Sequence, residues 1–183
     1  LHANKESVCC DDPVTGHPAI AAADLVLLDL STLPSSVSVD DFDTNVCAIS
    51  WYGLNGPYAD FNGSDASIYA LTGVMQGVGE SQGPPIIPTG YQPQIVGGLS
   101  AFNGAAGYLL GQHLKGDDKP AAFCLDASIL EANMCLTDIG AAMSFNQEPL
   151  PQRMGINRFA PTYPLGIWPC KDGWLGVTVL NPA

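Results

Sequence analysis

The sequence predicts an α/β fold, with a larger α/β domain over residues 1–145 followed by a linker and the start of a small α+β domain over 146–183. Three observations carry that expectation. Short apolar runs of strand length alternate with longer stretches at helical spacing. One strand runs into a turn punctuated by glycines, ISWYGLNGPYAD from Ile49 to Asp60. Near the end, two apolar segments flank Lys171-Asp172-Gly173 as the arms of a hairpin would.

Taken in order, Val26 to Asp29 and Val46 to Trp51 read as strands, being short, apolar and β-branched or leucine-rich. Between them, Leu33 to Thr44 reads as a loop with a short helix, because Pro34, Ser35 and Ser36 interrupt any longer pattern. Gly53 and Gly56-Pro57 break the second strand. Glycine supplies backbone freedom and proline a fixed φ, so the chain reverses after Trp51-Tyr52 and leaves room for a ligand to approach the backbone. Ser67 to Gly77 reads as helical and Gly79 to Gly90 as a Pro/Gly-rich loop. A helix is expected from Gly97 to Leu114, where Leu99, Phe102, Ala106, Leu109 and Leu110 recur at helical spacing, and Gly116 to Pro120 ends it. Ala121 to Leu125 reads as a strand and Ser128 to Phe145 as a second helix. Asn146 to Pro164 is irregular, ahead of the hairpin arms Gly166 to Trp168 and Trp174 to Val179.

Composition narrows the function classes. At 183 residues and 46% hydrophobic, the chain can bury a core in one or two domains. Eighteen acids against six bases give a net charge of −12, which argues against nucleic acid and anionic membrane surfaces as partners. No apolar run reaches the length of a membrane span, and no signal-like segment opens the sequence. Cys9, Cys10, Cys47, Cys124, Cys135 and Cys170 lack regular spacing, so reduced, buried thiols in a cytoplasmic protein are expected, with no metal site.

The turn at Trp51 to Asp60 resembles the S-G-F/Y-G-x-x-G-P-Y-A-D string of the family III CoA-transferases, the CaiB/BaiF family. Further strings follow in the family's order. LHANKESV (Leu1 to Val8) is similar to its L-N-x-x-K-x-S-V, AADLVLLD (Ala22 to Asp29) to its A-D-V-V strand, and GESQGPPIIP (Gly79 to Pro88) to its G-P-P turn. LDASILEA (Leu125 to Ala132) is similar to its V-D-V-S-L-L-D/E-A helix start, and GINRFAPTYPLGIWPCKDGW (Gly155 to Trp174) to its G-N…P-Y…D-G-W pattern. The resemblance implies a partial Rossmann-like large domain and the start of a small domain, of the type that forms intertwined dimers. Family members are considerably longer, so by resemblance the sequence begins after the family's first strand–helix unit and stops inside its small domain. It also implies transfer of coenzyme A between an acyl-CoA and a small carboxylic acid, with no metal, by a homodimer or by pairing with a second CoA-transferase domain.

Family III transferases attack the acyl-CoA thioester with a carboxylate at the start of a helix. The match places Glu131 at that position, where the active transferases have aspartate. One extra methylene moves the carboxylate by more than an ångström, and misplacement on that scale costs about 10²-fold. Ser128-Ile129-Leu130-Glu131 is also an S-x-x-E capping box, so Glu131 fits a nucleophile and a cap alike. Ile129, Ala132, Leu136, Ile139 and Met143 form the apolar stripe of the expected helix. Racemases of the same superfamily need a His/Asp pair. Gly63-Ser64-Asp65 and Val96-Gly97-Gly98 stand at those strings, so both groups are absent here.

Three further readings concern coenzyme A. Trp51, Tyr52 and Gly53 are candidates to flank the adenine or pantetheine, against a plain apolar strand end. Gly97 and Gly98 are expected to open a helix and present amides to a phosphate, against a tight loop-to-helix entry. Arg158 lies in the G-N motif, against surface pairing with an acid. His2, His17 and His113 are scattered and carry no expected role, and Cys9-Cys10 reads as packing rather than a redox pair. A degenerate, non-catalytic homologue that pairs with a competent copy is the second function class.

Overall fold

The computed structural model describes residues 4–8, 17–116, 121–149, 152–158 and 162–179, the side chains of Asp138 and Ile139 excepted. The readings on His2, Cys9, Cys10 and the 117–120 helix stop lie outside these residues. The chain forms two compact units, each assembled from two stretches of sequence. One comprises Leu1–Asn62 with Gln94–Ala132, the other Gly63–Pro93 with Asn133–Ala183.

The first unit is built on a parallel sheet of β1 (Val26–Asp29), β2 (Val46–Ser50) and β3 (Cys124–Ser128), in the order β1-β2-β3. The register pairs Val26 with Val46, Val46 with Cys124 and Ser50 with Ser128. Alternation along the strands divides the core. Leu28, Val46 and Ala48 join Phe42 on one face, against Leu33, Val37 and Val39 of the β1–β2 connection. Cys47 faces the other way and packs on Ala101 and Ala105 of α3 (Gln92–Lys115), with Leu125 and Ala127 beside them. Val46 is 2% exposed, and burying a valine to that extent contributes about 1.5–3 kcal/mol. Within the β1–β2 connection, Val39–Asp41 forms the short helix expected there, a 3₁₀ turn capped by Ser38. The four-residue α1 (Pro18–Ala21) was not anticipated; His17 caps it, its Nδ1 accepting from the Ala19 amide at 3.1 Å.

Small residues set the approach of α3. A Cβ on Gly104 would lie 2.8 Å from Leu125 Cδ2, and one on Gly97 2.7 Å from Ile129 Cγ1. At Gly97 the start of the next helix approaches with backbone as well as side chain, whereas at Gly104 only the tip of the Leu125 side chain would have to give.

The second unit holds α2 (Asp65–Leu71), whose Ile68 and Tyr69 are buried. Ser64 caps it: the Ser64 hydroxyl accepts from the Ser67 amide at 3.2 Å, and Ser67 Oγ accepts from the Ser64 amide at 2.8 Å. A 3₁₀ turn follows at Val74–Gly77. The loop beyond it folds back through a bridge between Gly79 and Pro85. α5 (Asp138–Phe145) leads towards the hairpin of β4 (Leu165–Cys170) and β5 (Gly173–Thr178), antiparallel, with Cys170 opposite Gly173. Asn157 fastens that hairpin. Its Oδ1 accepts from the Ile167 amide at 2.9 Å and its Nδ2 donates to the Ile167 carbonyl at 2.6 Å.

Several expectations are corrected. α3 starts at Gln92, five residues before Gly97, because Pro93 sits in the first turn where its missing amide costs nothing. α2 starts and stops early, the Ser64 cap fixing one end and Gly73, in the left-handed region at φ +80°, the other. β3 runs on to Ser128 rather than stopping at Leu125. The expected 128–145 helix is broken by a 3₁₀ turn at Cys135–Thr137, between α4 (Ile129–Met134) and α5. The single apolar stripe does not form, and Leu136 is exposed.

Candidate functional site

β2 and β3 end side by side, Ser50 opposite Ser128, and the chain leaves both at the carboxyl edge of the sheet. That edge is where open α/β sheets place ligands. Beyond β2 the chain makes the Trp51–Leu54 turn; beyond β3 it enters α4 directly. One backbone bond joins them, the Leu130 amide donating to the Trp51 carbonyl at 2.9 Å. Glu131, the next residue, is thereby held beside the turn, with its side chain exposed.

Half of the expected capping box is present. Ser128 Oγ accepts from the Glu131 amide at 3.2 Å. The reciprocal bond, in which the Ser128 amide would donate to the Glu131 carboxylate, is not among the hydrogen bonds of the described residues. The cap is thus made by Ser128, and the Glu131 carboxylate stays available for other work.

A second carboxylate shapes the turn. Asp126 stands on β3 opposite Ala48, and its Oδ2 accepts from the Leu54 amide at 2.9 Å. The same oxygen lies 3.4 Å from where a Cβ on Gly53 would stand, and Gly53 adopts φ +91°. The left-handed backbone favours glycine there, and the carboxylate lies in ordinary contact distance of the position. The Gly53 amide donates to Ser50 Oγ at 2.8 Å. The turn's amides at 53 and 54 are therefore spent on holding its shape. Reading motifs did not single out Asp126, because its role depends on pairing β3 with β2.

The aromatic residues expected to meet a ligand form a cluster at this turn. Trp51 and Tyr52 are half-buried. The Tyr52 ring lies 6.0 Å from that of Tyr58, which is 5.6 Å from Phe61. Tyr58 and Phe61 are 44% and 59% exposed, so ring surface is open to solvent.

The remaining candidates fall elsewhere. Gly97 and Gly98 lie past the first turn of α3, where backbone donors are consumed by the helical ladder. The phosphate cradle expected of them at a helix start is not formed; Gly97 instead gives Ile129 its space. Arg158 is exposed and belongs to the second unit. His17 is a helix cap and Ser64, at the racemase histidine's string, is another. Of the described thiols, Cys47 is buried while Cys124, Cys135 and Cys170 are exposed, contrary to the expectation that all are buried. Burial pushes the Cys47 thiol up, and Cys124 and Asp126 add to the shift. Cys47 is a packing residue. Among the described residues no group of three His, Cys, Asp or Glu could hold a metal, and no helix is long and apolar enough to cross a membrane.

The parallel sheet with its packed helix places the first unit in the α/β class. The CoA-transferase family III profile matches residues 46–183, and the chain belongs to that family. Over 136 residues it is 28% identical to succinyl-CoA:glutarate CoA-transferase of Mus musculus, covering 74% of this chain and 30% of the relative. Over 142 residues it is 27% identical to succinate–glutarate CoA-transferase of Agrobacterium fabrum, covering 74% and 32%. The chain thus spans about a third of the length of these relatives. Among solved structures, a CaiB/BaiF family protein from Brucella suis superposes with a TM-score of 0.72 at 20% identity, over 87% of this chain and 43% of that one. Rv3272 from M. tuberculosis superposes with a TM-score of 0.61 at 19% identity, over 85% and 41%. These likenesses agree on the α/β fold.

Proposed function

We propose that this chain carries the nucleophile-bearing part of a CoA-transferase that moves coenzyme A between an acyl-CoA and a small carboxylic acid. The observation that carries the reading is the Leu130–Trp51 bond, which holds an exposed Glu131 carboxylate beside the aromatic turn at the sheet's carboxyl edge. A Glu131 oxygen attacks the thioester carbonyl and the CoA thiolate leaves, giving a mixed anhydride. The thiolate then attacks the glutamyl carbonyl and expels the acyl group as its carboxylate, leaving a glutamyl-CoA thioester. The acceptor acid attacks that thioester, the thiolate departs again, and its attack on the acceptor's acyl carbon frees Glu131. Trp51, Tyr52 and Gly53 border the adenine or pantetheine, Tyr58 and Phe61 extending the stacking surface. Arg158 remains a candidate for coenzyme A contact. By relatives' chemistry, succinyl-CoA and glutarate are the first donor and acceptor to try.

A degenerate, partner-dependent domain is the second reading, and one observation favours it. The Gly53 and Leu54 amides, donors of the glycine turn that an oxyanion would need free, already bond to Ser50 and Asp126. The assembly we propose is a cytoplasmic homodimer, or a pairing with a second CoA-transferase domain. Ile95, Leu99 and Phe102 on α3 are more than half exposed and offer an apolar face for it.

Intact-protein mass spectrometry with succinyl-CoA and hydroxylamine trapping decides between the readings. The expected result is an adduct that maps to Glu131 and is lost in Glu131→Gln. A folded chain that binds CoA and yields no adduct would establish the degenerate reading instead.

A further inference from the structure

Arg153 differs from the other described cations. Lys5, Lys115, Arg158 and Lys171 are exposed, while Arg153 is half-buried in the second unit. Its Nε donates to the Glu80 carbonyl at 3.3 Å and its Nη2 to the Gly83 carbonyl at 3.0 Å. Both carbonyls belong to the loop folded back through the Gly79–Pro85 bridge. In a chain with 18 acidic residues, the guanidinium has no ion pair among the described residues; neutral carbonyls hold it. A guanidinium has five N–H donors in a planar fork, and these bonds use two. The charge is thus fixed in orientation but not neutralised.

Beside it lies an open depression of about 200 Å³ lined by Arg153 and by the exposed Gln76, Ser81 and Gln152. Two carboxamides and a hydroxyl supply further donors, and among the described residues no carboxylate lines the space. The volume is below the roughly 300–1,000 Å³ of pockets for drug-sized ligands, a size that a metabolite of a few carbons fills.

We propose that this depression is a binding site for a small carboxylate, with the Arg153 fork as its anchor and Gln76, Ser81 and Gln152 as orienting donors. The site belongs to the second unit and stands independently of the assignment of Glu131. Preorganisation is the physical basis. The carbonyl clamp restricts the long arginine side chain before any ligand arrives, so less rotamer freedom is lost on binding. Planar carboxylates match the guanidinium edge with two parallel bonds, which a single-point cation cannot offer.

The test is titration of the whole chain with malonate, followed by calorimetry, with inorganic phosphate and acetate as comparators. Saturable malonate binding is expected, weakened roughly 10- to 100-fold in Arg153→Gln, the loss typical of a hydrogen bond to a charged group. Because that variant also removes the loop clamp, a Ser81→Ala/Gln152→Leu double variant is measured beside it. This pair leaves both carbonyl bonds in place and is expected to lose affinity several-fold with an unchanged melting midpoint. Three results would overturn the proposal: no saturable malonate binding to the wild-type chain, wild-type affinity in the double variant, or phosphate binding where malonate does not. If Arg153→Gln fails to fold, the double variant decides.

Discussion

Gly97 and Gly98 are neighbours in one helix with opposite surroundings. Alanine at either position removes the helix penalty of glycine, which stabilises by about 0.8–1 kcal/mol. At Gly98 nothing lies within 4 Å of the new Cβ, so that gain is expected in full. At Gly97 the Cβ would stand 2.7 Å from Ile129 Cγ1 and 3.3 Å from its Cα. A side-chain tip can rotate away but backbone cannot, and overpacking of this kind costs about 1–3 kcal/mol. Gly98→Ala should therefore raise the urea midpoint and Gly97→Ala lower it. Equal shifts in the same direction would remove the packing role assigned to Gly97. Neither effect involves an anion cradle, which the sequence had suggested because paired glycines often mark a helix entry. Here the entry is set earlier, by Pro93, and polar Gln92 and Gln94 hid that first turn from an apolar-periodicity reading.

Among elements, those whose partners are close in sequence were legible. The β4–β5 hairpin shows its turn in Lys171-Asp172-Gly173, and β1 and β2 show theirs in apolar runs of strand length. Boundaries and side-chain roles fixed by distant partners were not. β3 extends to Ser128 because β2 pairs with it through Ser50, and Asp126 acquires its role only across that pairing. Glu131 was legible as a position, since its string is local; the separation of its carboxylate from the Ser128 cap was not. Asn157 is a further case. It read as part of a motif with Arg158, yet its side chain closes both hydrogen bonds of the Ile167 backbone, and it sits in the left-handed region at φ +59°. Asn157→Ala loses those bonds and retains an unfavourable backbone, a combined cost of about 1–3 kcal/mol. The expected readout is faster amide exchange at Ile167 than in the parent, with Asn157→Asp intermediate because it keeps one acceptor. Unchanged exchange at Ile167 in Asn157→Ala would show that the strand pairing alone holds the hairpin.

For the whole molecule, the charge of −12 opposes the ligand its family handles. Coenzyme A carries several negative phosphate charges, and the first unit's sequence supplies only Lys5, Lys115 and Lys119 as bases. Long-range repulsion should then outweigh local attraction at the aromatic turn. Salt acts on the long-range part first, since the screening length falls from about 30 Å at 0.01 M to about 8 Å at 0.15 M. Coenzyme A binding to this chain is accordingly expected to tighten as sodium chloride rises across that range, measured by calorimetry at fixed pH. A site dominated by basic side chains behaves in the opposite sense, because screening removes its attraction. Affinity that falls with salt would mean that Arg158 or another cation governs binding, and that ring stacking at Tyr52 and Tyr58 is secondary. Affinity that rises would place the recognition in stacking and backbone contacts, which salt at these concentrations leaves largely intact.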